Sequence, residues 1–506
     1  MTRLPLTTLG ALGLICAGSA AQADVTAQQV WDKWVDQMAI YGEGFTTGPV
    51  SQSGDTLTVP DVRIEFSDAW VSATAKIGDL TLTENGDGTV SVTTPESYPL
   101  SIQLTHVFGE PEEIHIIISQ ENMALTVSGE PEEMTFEVGA DHYTMTLDAV
   151  EGANVVSVSI EAATLAFLDL SGHYTIETDD MTRISSELNL GAVDLDVLMA
   201  ETDGNDPITA TINITDITTF SNAVLPESLD LDAEYPPFKD GLSLESGYSA
   251  GTIEYVLGLV FGEEAASATA SAESAEFSIA MDYNELKYSS SLQNFDMNIA
   301  MPEELPLPVG IAIGQQQFEL QIPLHQSTDD ALQDARFAIA MSDLTISDVI
   351  WDLIDPQQIL ARAPVTIALG IDAQIKLFFD LLDPDQQEAL ALTDAPGELH
   401  GMQLTDLTLR GGGAEIFGNG AFTFDNSDFE TFGGFPRPEG ELNFDINGIN
   451  ELLDNLVTIG VIPEENALMP RMMLGMFTPP VGDDALTSKI EVNSEGQVLA
   501  NGQRLR

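Results

Sequence analysis

Short segments in which apolar and polar residues alternate run through most of this chain, from about residue 45 to residue 320. Met134 to Val138, Tyr143 to Leu147, Val155 to Ile160 and Tyr174 to Glu177 are four of them. A two-residue period places the apolar side chains on one face of a β-strand, as in a half-buried sheet. No regular alternation of strand and helix, which would indicate a doubly wound fold, accompanies these segments. The pattern therefore predicts antiparallel sheet built from hairpins.

The stretch from Gly397 to Arg506 has the clearest boundaries between elements. Alternation at Thr405 to Arg410 predicts a strand that ends at three consecutive glycines, and Ala421 to Phe424 predicts a second strand. After a third strand, the apolar spacing from Ile449 to Val457 predicts an amphipathic helix. Lys489 to Arg506 reads as a terminal hairpin.

Two further helical segments are predicted. Apolar residues at helical spacing extend from Val25 to Tyr41 and include Trp31 and Trp34. Paired tryptophans also occur in helices that lie on membranes, but this segment has no basic face, which favours a helix packed on the core. The other segment is Glu464 to Phe477, where Pro470 predicts a kink or two short helices.

Together these elements predict a mainly β fold: large curved antiparallel sheets, groove-like or sandwich-like, with a few amphipathic helices at the N-terminus and in the last third. The prolines of Pro302 to Pro308 indicate a soft boundary. It would divide the chain into a signal segment (1–23), a helix with a β-rich region (24–301) and a β-rich region with helices (302–506). One continuous elongated domain is the alternative.

A weak internal repeat lies in the last third. Trp351 to Pro356 is similar to Phe379 to Pro384, since each is a short apolar run that Asp-Pro stops. The similarity predicts two short helices that pack equivalently on the sheet, with chance similarity in a biased composition as the alternative.

The first residues have the pattern of a secretory signal. Arg3 supplies the positive charge, Leu9 to Ala17 the apolar segment, and Ala21-Gln22-Ala23 the small residues of a cleavage site. The apolar run is shorter than the roughly 20 residues of a transmembrane helix, which disfavours a retained anchor. Cys16 would be the modified residue of a lipoprotein, but a large residue precedes it. The predicted location is the periplasm.

Composition excludes several classes of partner. The chain has 82 acidic and 16 basic residues and a net charge of −66, so it lacks the basic patches that bind nucleic acid or anionic membranes. A solvated acidic surface is favoured over a specific cation-binding role. Cys16 is the only cysteine, which excludes a disulfide framework. The 43% of hydrophobic residues distinguish the chain from acidic disordered proteins.

No catalytic, metal-binding or cofactor-binding motif occurs in the sequence. None of the histidines has a zinc-binding spacing, and they are predicted to be surface or strand residues: His106, His115, His142, His173, His325 and His400. Acidic turns at 84–88, 201–206 and 425–428 offer oxygen ligands, but none matches the calcium loop, and turn chemistry explains them. The sequence thus predicts no enzyme, no cofactor and no site residue, unless distant carboxylates and histidines assemble one.

The methionine-rich segment from Glu464 to Phe477 is the best candidate for contact with an apolar ligand, because methionine surfaces adapt to varied apolar shapes. Leu474, Met476 and Phe477 are the candidates for lining such a site. An amphipathic helix that closes the core is the alternative, and the pattern favours it.

Several motifs resemble a known family. They are Pro396-Gly397-Glu398-Leu399-His400, Phe424-Asp425-Asn426, Gly434-Phe435-Pro436-Arg437-Pro438-Glu439-Gly440, Met472-Met473-Leu474-Gly475-Met476-Phe477 and Asn501-Gly502-Gln503-Arg504-Leu505, with Val25-Thr26-Ala27-Gln28-Gln29-Val30-Trp31 and Glu96-Ser97-Tyr98-Pro99-Leu100 near the N-terminus. Across nearly the whole mature chain, the sequence resembles the Domain of Unknown Function 2125 family of exported alphaproteobacterial proteins. The resemblance implies an envelope location and brings no activity, substrate or catalytic residue.

Two classes of function are compatible with these observations. The chain is expected to bind or carry a lipid or other apolar ligand in a groove of its sheets, or to be a structural or interaction protein that contacts other envelope proteins. The two-residue period alone does not distinguish a ligand carrier from a structural protein, because the inner face of a groove and a packed core have the same pattern of apolar residues.

The signal predicts where the mature chain begins. We expect protein isolated from the periplasmic fraction to start at Asp24, because signal peptidase cleaves after the small-x-small pattern. N-terminal sequencing of that fraction tests the prediction, and an uncleaved or lipid-modified start would contradict it.

Overall fold

The structure of the protein is a computed structural model. It describes residues 25–40, 44–67, 70–104, 112–152, 158–201, 207–227, 229, 236–261, 264–301, 307–328, 331–393 and 395–506. The signal segment (1–23), His106 and most of the acidic turn at 201–206 lie outside these ranges.

The first half of the chain consists mainly of strands, which range from 2 to 21 residues in length. In order they are Phe45–Thr46 (β1), Ser51–Ser53 (β2), Thr56–Ser67 (β3), Val71–Glu84 (β4), Val90–Thr93 (β5), Ser97–Leu104 (β6), Glu112–Glu121 (β7), Ala124–Glu130 (β8), Glu133–Glu151 (β9), Val158–Thr178 (β10), Met181–Glu201 (β11), Pro207–Pro226 (β12) and Ser243–Ala250 (β13).

The second half continues the same pattern. Its strands are Ile253–Phe261 (β14), Glu264–Ala272 (β15), Ser274–Met281 (β16), Glu285–Ala300 (β17), Val309–Pro323 (β18), Gln333–Ile346 (β19), Ala361–Leu377 (β20), Gly397–Gly412 (β21), Ala414–Asp425 (β22), Arg437–Asn447 (β23), Pro480–Gly482 (β24), Ala485–Val492 (β25), Val498–Ala500 (β26) and Gln503–Arg504 (β27).

Helices are few and lie at the N-terminus and in the last third. They are Ala27–Ile40 (α1), Asp348–Ile354 (α2), Gln387–Leu392 (α3), Ile449–Thr458 (α4) and Glu464–Phe477 (α5), with short 3-10 helices at Phe238–Asp240 and Pro384–Gln386. The predicted mainly β fold with a large antiparallel sheet and a few helices is confirmed.

The described strands form one 27-stranded sheet, in which the pairings are antiparallel. Neighbours in the chain are mostly neighbours in the sheet: β9 to β12 pair in succession, as do β17 to β23. The strands on either side of residues 302–306 pair from Glu285 opposite Pro323 to Ile299 opposite Val309. The sheet is therefore a meander that continues through this region.

One helix predicted from the internal repeat does not form. Residues Trp351 to Ile354 lie in α2, but Phe379 to Leu382 are bends and turns. Their polar groups bond to a neighbouring connection instead: Leu381 N–H donates to Leu324 O at 2.7 Å, and Asp380 Oδ1 accepts from Gln326 N at 2.6 Å. These tertiary bonds replace the first turn of the expected helix. In α5, a single helix continues through Pro470, so the predicted alternative of two short helices is wrong.

Left-handed residues interrupt many of the strands at one place along their length. Aspartate or asparagine with φ between 49° and 55° lies within β3, β10, β12, β17 and β19, and between β7 and β8: Asp61, Asp169, Asp216, Asn294, Asp343 and Asn122. Asp and Asn adopt this conformation most readily among the residues with a side chain, because their short polar groups bond locally. We call this set of residues the kink line.

The alternation of apolar residues changes phase at the kink line. In β10 the apolar residues are Leu165 and Phe167 before Asp169, but Tyr174 and Ile176 after it, a shift from odd to even positions. β17 shows the same change at Asn294. A regular strand would send these two sets to opposite faces. The left-handed residue compensates for the shift, so that the apolar residues of both halves face the same side.

Glycine on the adjacent strand makes room for several residues of the kink line. A Cβ at Gly191 would lie 2.9 Å from Asp169 Oδ2, and one at Gly314 would lie 3.0 Å from Asp343 Cβ. Both distances are shorter than ordinary van der Waals contact. The kinks of neighbouring strands therefore depend on one another.

α1 packs on the apolar side of strands β3 to β10. Val30 and Trp31 are buried together with Leu82, Phe136 and other residues of these strands. The helix is anchored at its start, where Ala27 N donates to Glu84 Oε1 at 2.9 Å. Full burial of one such side chain contributes about 1.5–3 kcal/mol. The prediction of a core-facing N-terminal helix is confirmed.

We expect substitution of Asp169 by valine to destabilise the protein, because a β-branched residue is disfavoured at positive φ by about 1–2 kcal/mol. Asp169→Gly is the matched control, since glycine adopts this conformation without a Cβ penalty. The measurement is the thermal unfolding midpoint of the two variants and the parent. A midpoint for Asp169→Val equal to that of Asp169→Gly would contradict the role of the kink.

Candidate functional site

The side of the sheet on which the apolar residues lie is continuous from strand to strand. In the register, Tyr248 pairs with Phe277, Phe318 with Ile339, and Ile339 with Leu369. The series continues through further apolar pairs: Leu369 with Leu407, Ile416 with Ile446, and Leu442 with Ile490. Directly opposed residues share a face in antiparallel sheet. We call this side the apolar face.

Aromatic rings cross five strands of the apolar face in one row. The ring centroids of Tyr248 and Phe277 are 5.7 Å apart, and those of Phe277 and Tyr288 are 5.3 Å apart. Tyr288 lies 5.4 Å from Phe318, which lies 5.8 Å from Phe337. Most of these contacts are edge-to-face, the geometry that aromatic quadrupoles favour. The row gives the middle of the sheet a fixed apolar surface.

Much of this surface is open to solvent. Tyr248 is 43% exposed, and Ile339 and Ile367 are both 44% exposed. The burial of one such side chain contributes about 1.5–3 kcal/mol, so a molecule that covers the face would be held by the hydrophobic effect. A contiguous exposed apolar surface of this kind is a candidate for a site of interaction.

Charged residues lie on the opposite side, which we call the polar face. Arg336 is paired there with Glu319 on β18, at 2.7 Å, and with Asp372 on β20, at 2.8 Å. On β11, Asp194 accepts from Asn213 and is flanked by the apolar-face residues Val193 and Leu195. The acidic charge of these strands is thus kept in water, away from the apolar face.

A cavity of about 560 Å³ lies where α1 meets the apolar face. Trp31 and Trp34 of α1 form one wall. The other walls come from strands β3 to β11 and from the start of β1, and both sides of the kink line contribute: Phe45, Val62, Ile64, Ile77, Leu80, Thr94, Tyr98, Gln120, Met123, Tyr143, Tyr174, Ile184 and Ser186. Its volume lies in the range of about 300–1,000 Å³ that is usual for small-molecule sites.

The polar groups of the cavity are mainly tyrosine hydroxyls. Those of Tyr98 and Tyr143 are 2.8 Å apart and share one hydrogen bond. Trp34 Nε1 donates to the hydroxyl oxygen of Tyr174 at 3.0 Å. Burial raises the pKa of Tyr174 to about 12, and the Trp34 bond acts in the opposite direction. Burial and the hydrogen bond with Tyr143 also raise the pKa of Tyr98.

The methionine-rich segment lies at the other end of the sheet. Among the described residues, Leu474, Met476 and Phe477 do not line this cavity. Ala467 is the buried residue of α5, whereas Met469 and Met472 are 70% and 67% exposed. The alternative interpretation, a helix that closes the core, is therefore wrong for most of α5, since its apolar side chains face solvent.

The histidines and acidic turns that the structure describes have ordinary partners. His142 lies 3.1 Å from Glu121, and His400 lies 3.1 Å from Glu398. Asp87 accepts from Thr89 within its own turn. In the turn at 425–428, Asp425 accepts from Ser427 and Arg437, and Asp428 accepts from Thr431. Within the described ranges, no three His, Cys, Asp or Glu residues are placed to hold a metal ion.

Sequence reasoning identified part of the cavity. It predicted α1 and its two tryptophans, but it did not place the tyrosines together. Tyr98, Tyr143 and Tyr174 come from β6, β9 and β10, and each stands in an ordinary strand pattern. No local sequence pattern marks these tyrosines as cavity residues, because only strand pairing brings their hydroxyls together.

The chain is thus an antiparallel β-sheet protein with one apolar face, a cavity at one end of that face, and an acidic opposite face. Residues 257–503 match the family model described as "Uncharacterized protein conserved in bacteria (DUF2125)". This region of the chain belongs to the DUF2125 family. The match includes the aromatic row from Phe277 onward, and α1 and the cavity lie outside it.

The other comparisons add no relative. No curated protein and no solved structure matches the chain. Among the residues that the structure describes, no helix has the length and apolar character needed to cross a membrane.

The ionisation of Tyr174 provides a test of the cavity geometry. Its neutral hydroxyl contributes stability below the ordinary tyrosine pKa of about 10, and this stability is lost as the pH rises toward the folded value of about 12. We expect Tyr174→Phe to remove one late-ionising tyrosine from the alkaline absorbance titration of the folded protein. Trp34→Phe should move that ionisation higher, because it removes the donor that favours the phenolate. A titration unchanged in both variants would contradict this geometry.

Proposed function

We propose that the protein binds or carries an apolar ligand, such as a lipid, along the apolar face of its sheet, which forms a groove. The observation that supports this most directly is the open, continuous apolar face with its aromatic row. Exposed residues such as Tyr248, Ile339 and Ile367 would be covered by acyl chains in the loaded protein.

The distribution of charge supports the same function. An apolar ligand that lies along the strands needs a face free of charges, and pairs such as Arg336 with Glu319 lie on the opposite face. The acidic polar face would keep the loaded protein soluble and prevent its adsorption to anionic surfaces.

The proposed location is the periplasm, in keeping with the signal at 1–23. The proposal includes no chemical step, so the protein acts as a carrier and not as an enzyme.

A structural or interaction protein of the envelope is the second candidate. The exposed methionines of α5, such as Met469 and Met472, favour contact with another protein, because methionine surfaces adapt to varied partners. In that case the apolar face would be covered by protein and not by lipid.

Lipid extraction and native mass spectrometry of protein purified from its own envelope test the proposal. The carrier function predicts co-purifying lipid in the parent protein. Ile339→Lys should reduce its amount about tenfold, because an ammonium group on the apolar face must be desolvated beneath the acyl chains. The matched control is Ala338→Lys. It places the same charge on the preceding residue of β19, which lies on the polar face opposite Glu319.

Equal lipid content in the two variants would contradict binding along the apolar face. Repeated absence of lipid from the parent, with a partner protein recovered in its place, would support the second candidate.

A further inference from the structure

The cavity beside α1 differs from the rest of the apolar face in being enclosed by a helix and in having hydrogen-bonding groups. Its floor belongs to the sheet, since Tyr143, Tyr174 and Ile184 all lie on the apolar face. α1 covers it, with Trp31 buried and Trp34 part-buried. An occupant would therefore be held on several sides, whereas a ligand on the aromatic row would be held on one.

No charged side chain lines this cavity among the described residues. Basic residues beside the cavity residues in sequence lie on the other face: Arg63 and Lys76 oppose each other on β3 and β4, one position out of phase with Ile64 and Ile77. Lys33 of α1 donates to Thr178 Oγ1 at 3.0 Å. An anionic head group would lose its water and gain no cation in return.

Hydroxyl donors remain unused in the cavity. Tyr174 accepts from Trp34, and its own O–H has no acceptor among the described residues. In the pair formed by Tyr98 and Tyr143, one hydroxyl donates to the other, which leaves one O–H without an acceptor in the described part of the chain. Because burial raises the pKa of both Tyr98 and Tyr174, these groups stay neutral donors at physiological pH. They match an uncharged oxygen acceptor, such as an alcohol, ester or quinone carbonyl.

We infer that the cavity beside α1 is a binding site for an uncharged amphiphile: a molecule with an alkyl or polyprenyl chain and a neutral oxygen head group that accepts hydrogen bonds from the tyrosines. This inference rests on the proposed function, since the alkyl chain would extend from the cavity onto the apolar face. It adds the chemical class of the ligand and its orientation, with the head group at α1.

Tryptophan quenching by brominated chains tests the inference. The chain has four tryptophans, and Trp70→Phe with Trp351→Phe leaves Trp31 and Trp34 as the reporters. The probes are dibrominated octadecanol, dibrominated octadecyl sulfate and the corresponding dibrominated trimethylammonium compound, each used in high salt to screen the net charge of the protein. We expect the alcohol to quench both tryptophans at a concentration about tenfold lower than either charged probe, since only the charged head groups must be desolvated.

Two variants locate the site. Ser186→Phe fills the cavity and should abolish quenching by the alcohol. The control is Ser185→Phe, at the preceding residue of β11 on the other face, which should leave the quenching unchanged. The double variant Tyr98→Phe/Tyr143→Phe keeps most of the volume and removes both hydroxyls of the pair, including its available donor, so the alcohol should bind about fivefold more weakly. This second variant tests the inference even where Ser186→Phe fails to fold.

The outcomes separate this inference from the proposed function. Equal or tighter binding of either charged probe, or unchanged alcohol affinity in both Ser186→Phe and the double variant Tyr98→Phe/Tyr143→Phe, overturns the inference. If Ile339→Lys loses co-purified lipid while the alcohol leaves Trp31 and Trp34 unquenched, the carrier function holds and the cavity assignment fails. If the alcohol quenches and Ile339→Lys retains its lipid, the cavity assignment holds and binding along the sheet fails.

Discussion

A left-handed residue within each of several long strands keeps the apolar side chains of this sheet on one side. Strands such as β10, with 21 residues, could not present an apolar face along their whole length if the apolar residues changed phase in a regular strand. Asp169 and its equivalents supply the compensating kink, in a left-handed conformation that Asp and Asn adopt more readily than other residues with a side chain. Glycines such as Gly191 and Gly314 leave room for the aspartates of the neighbouring strand. The apolar face, the cavity and the separation of charge all depend on this arrangement.

The position of α1 determines where the core lies. Most fully buried side chains belong to strands β3 to β10, where α1 covers the apolar face. Along the rest of the sheet, residues such as Tyr248 and Ile367 remain exposed, and main-chain pairing with cross-strand contacts holds the strands together. The protein thus has one packed end and a long open face. The two ends of the apolar face therefore differ. A ligand bound along it would contact tyrosine hydroxyls at α1 and only apolar side chains farther along the sheet.

The sequence pattern predicted the presence of the antiparallel sheet correctly, but it predicted the lengths of its strands poorly. It treated Met134 to Val138 and Tyr143 to Leu147 as two strands, because the alternation changes phase between them and a phase change normally marks a turn. Both segments lie within β9, whose pairing with β10 continues across the change. The same residue types, Asp, Asn and Gly, form hairpin turns and strand kinks, so composition does not separate the two. The repeated Asp-Pro segments illustrate the same limit, since only Trp351 to Ile354 became a helix.

The sequence by itself determined the mainly β fold, the N-terminal helix and the acidic surface, because a two-residue period, a helical period and a net charge are properties of the chain before it folds. It also carried the resemblance to the DUF2125 family, which the match over residues 257–503 bears out. Only the tertiary structure decided that the strands join into one sheet and that their apolar residues share a face. It alone brought Trp34, Tyr143 and Tyr174 to one cavity, because strand pairing sets these contacts between residues far apart in the chain.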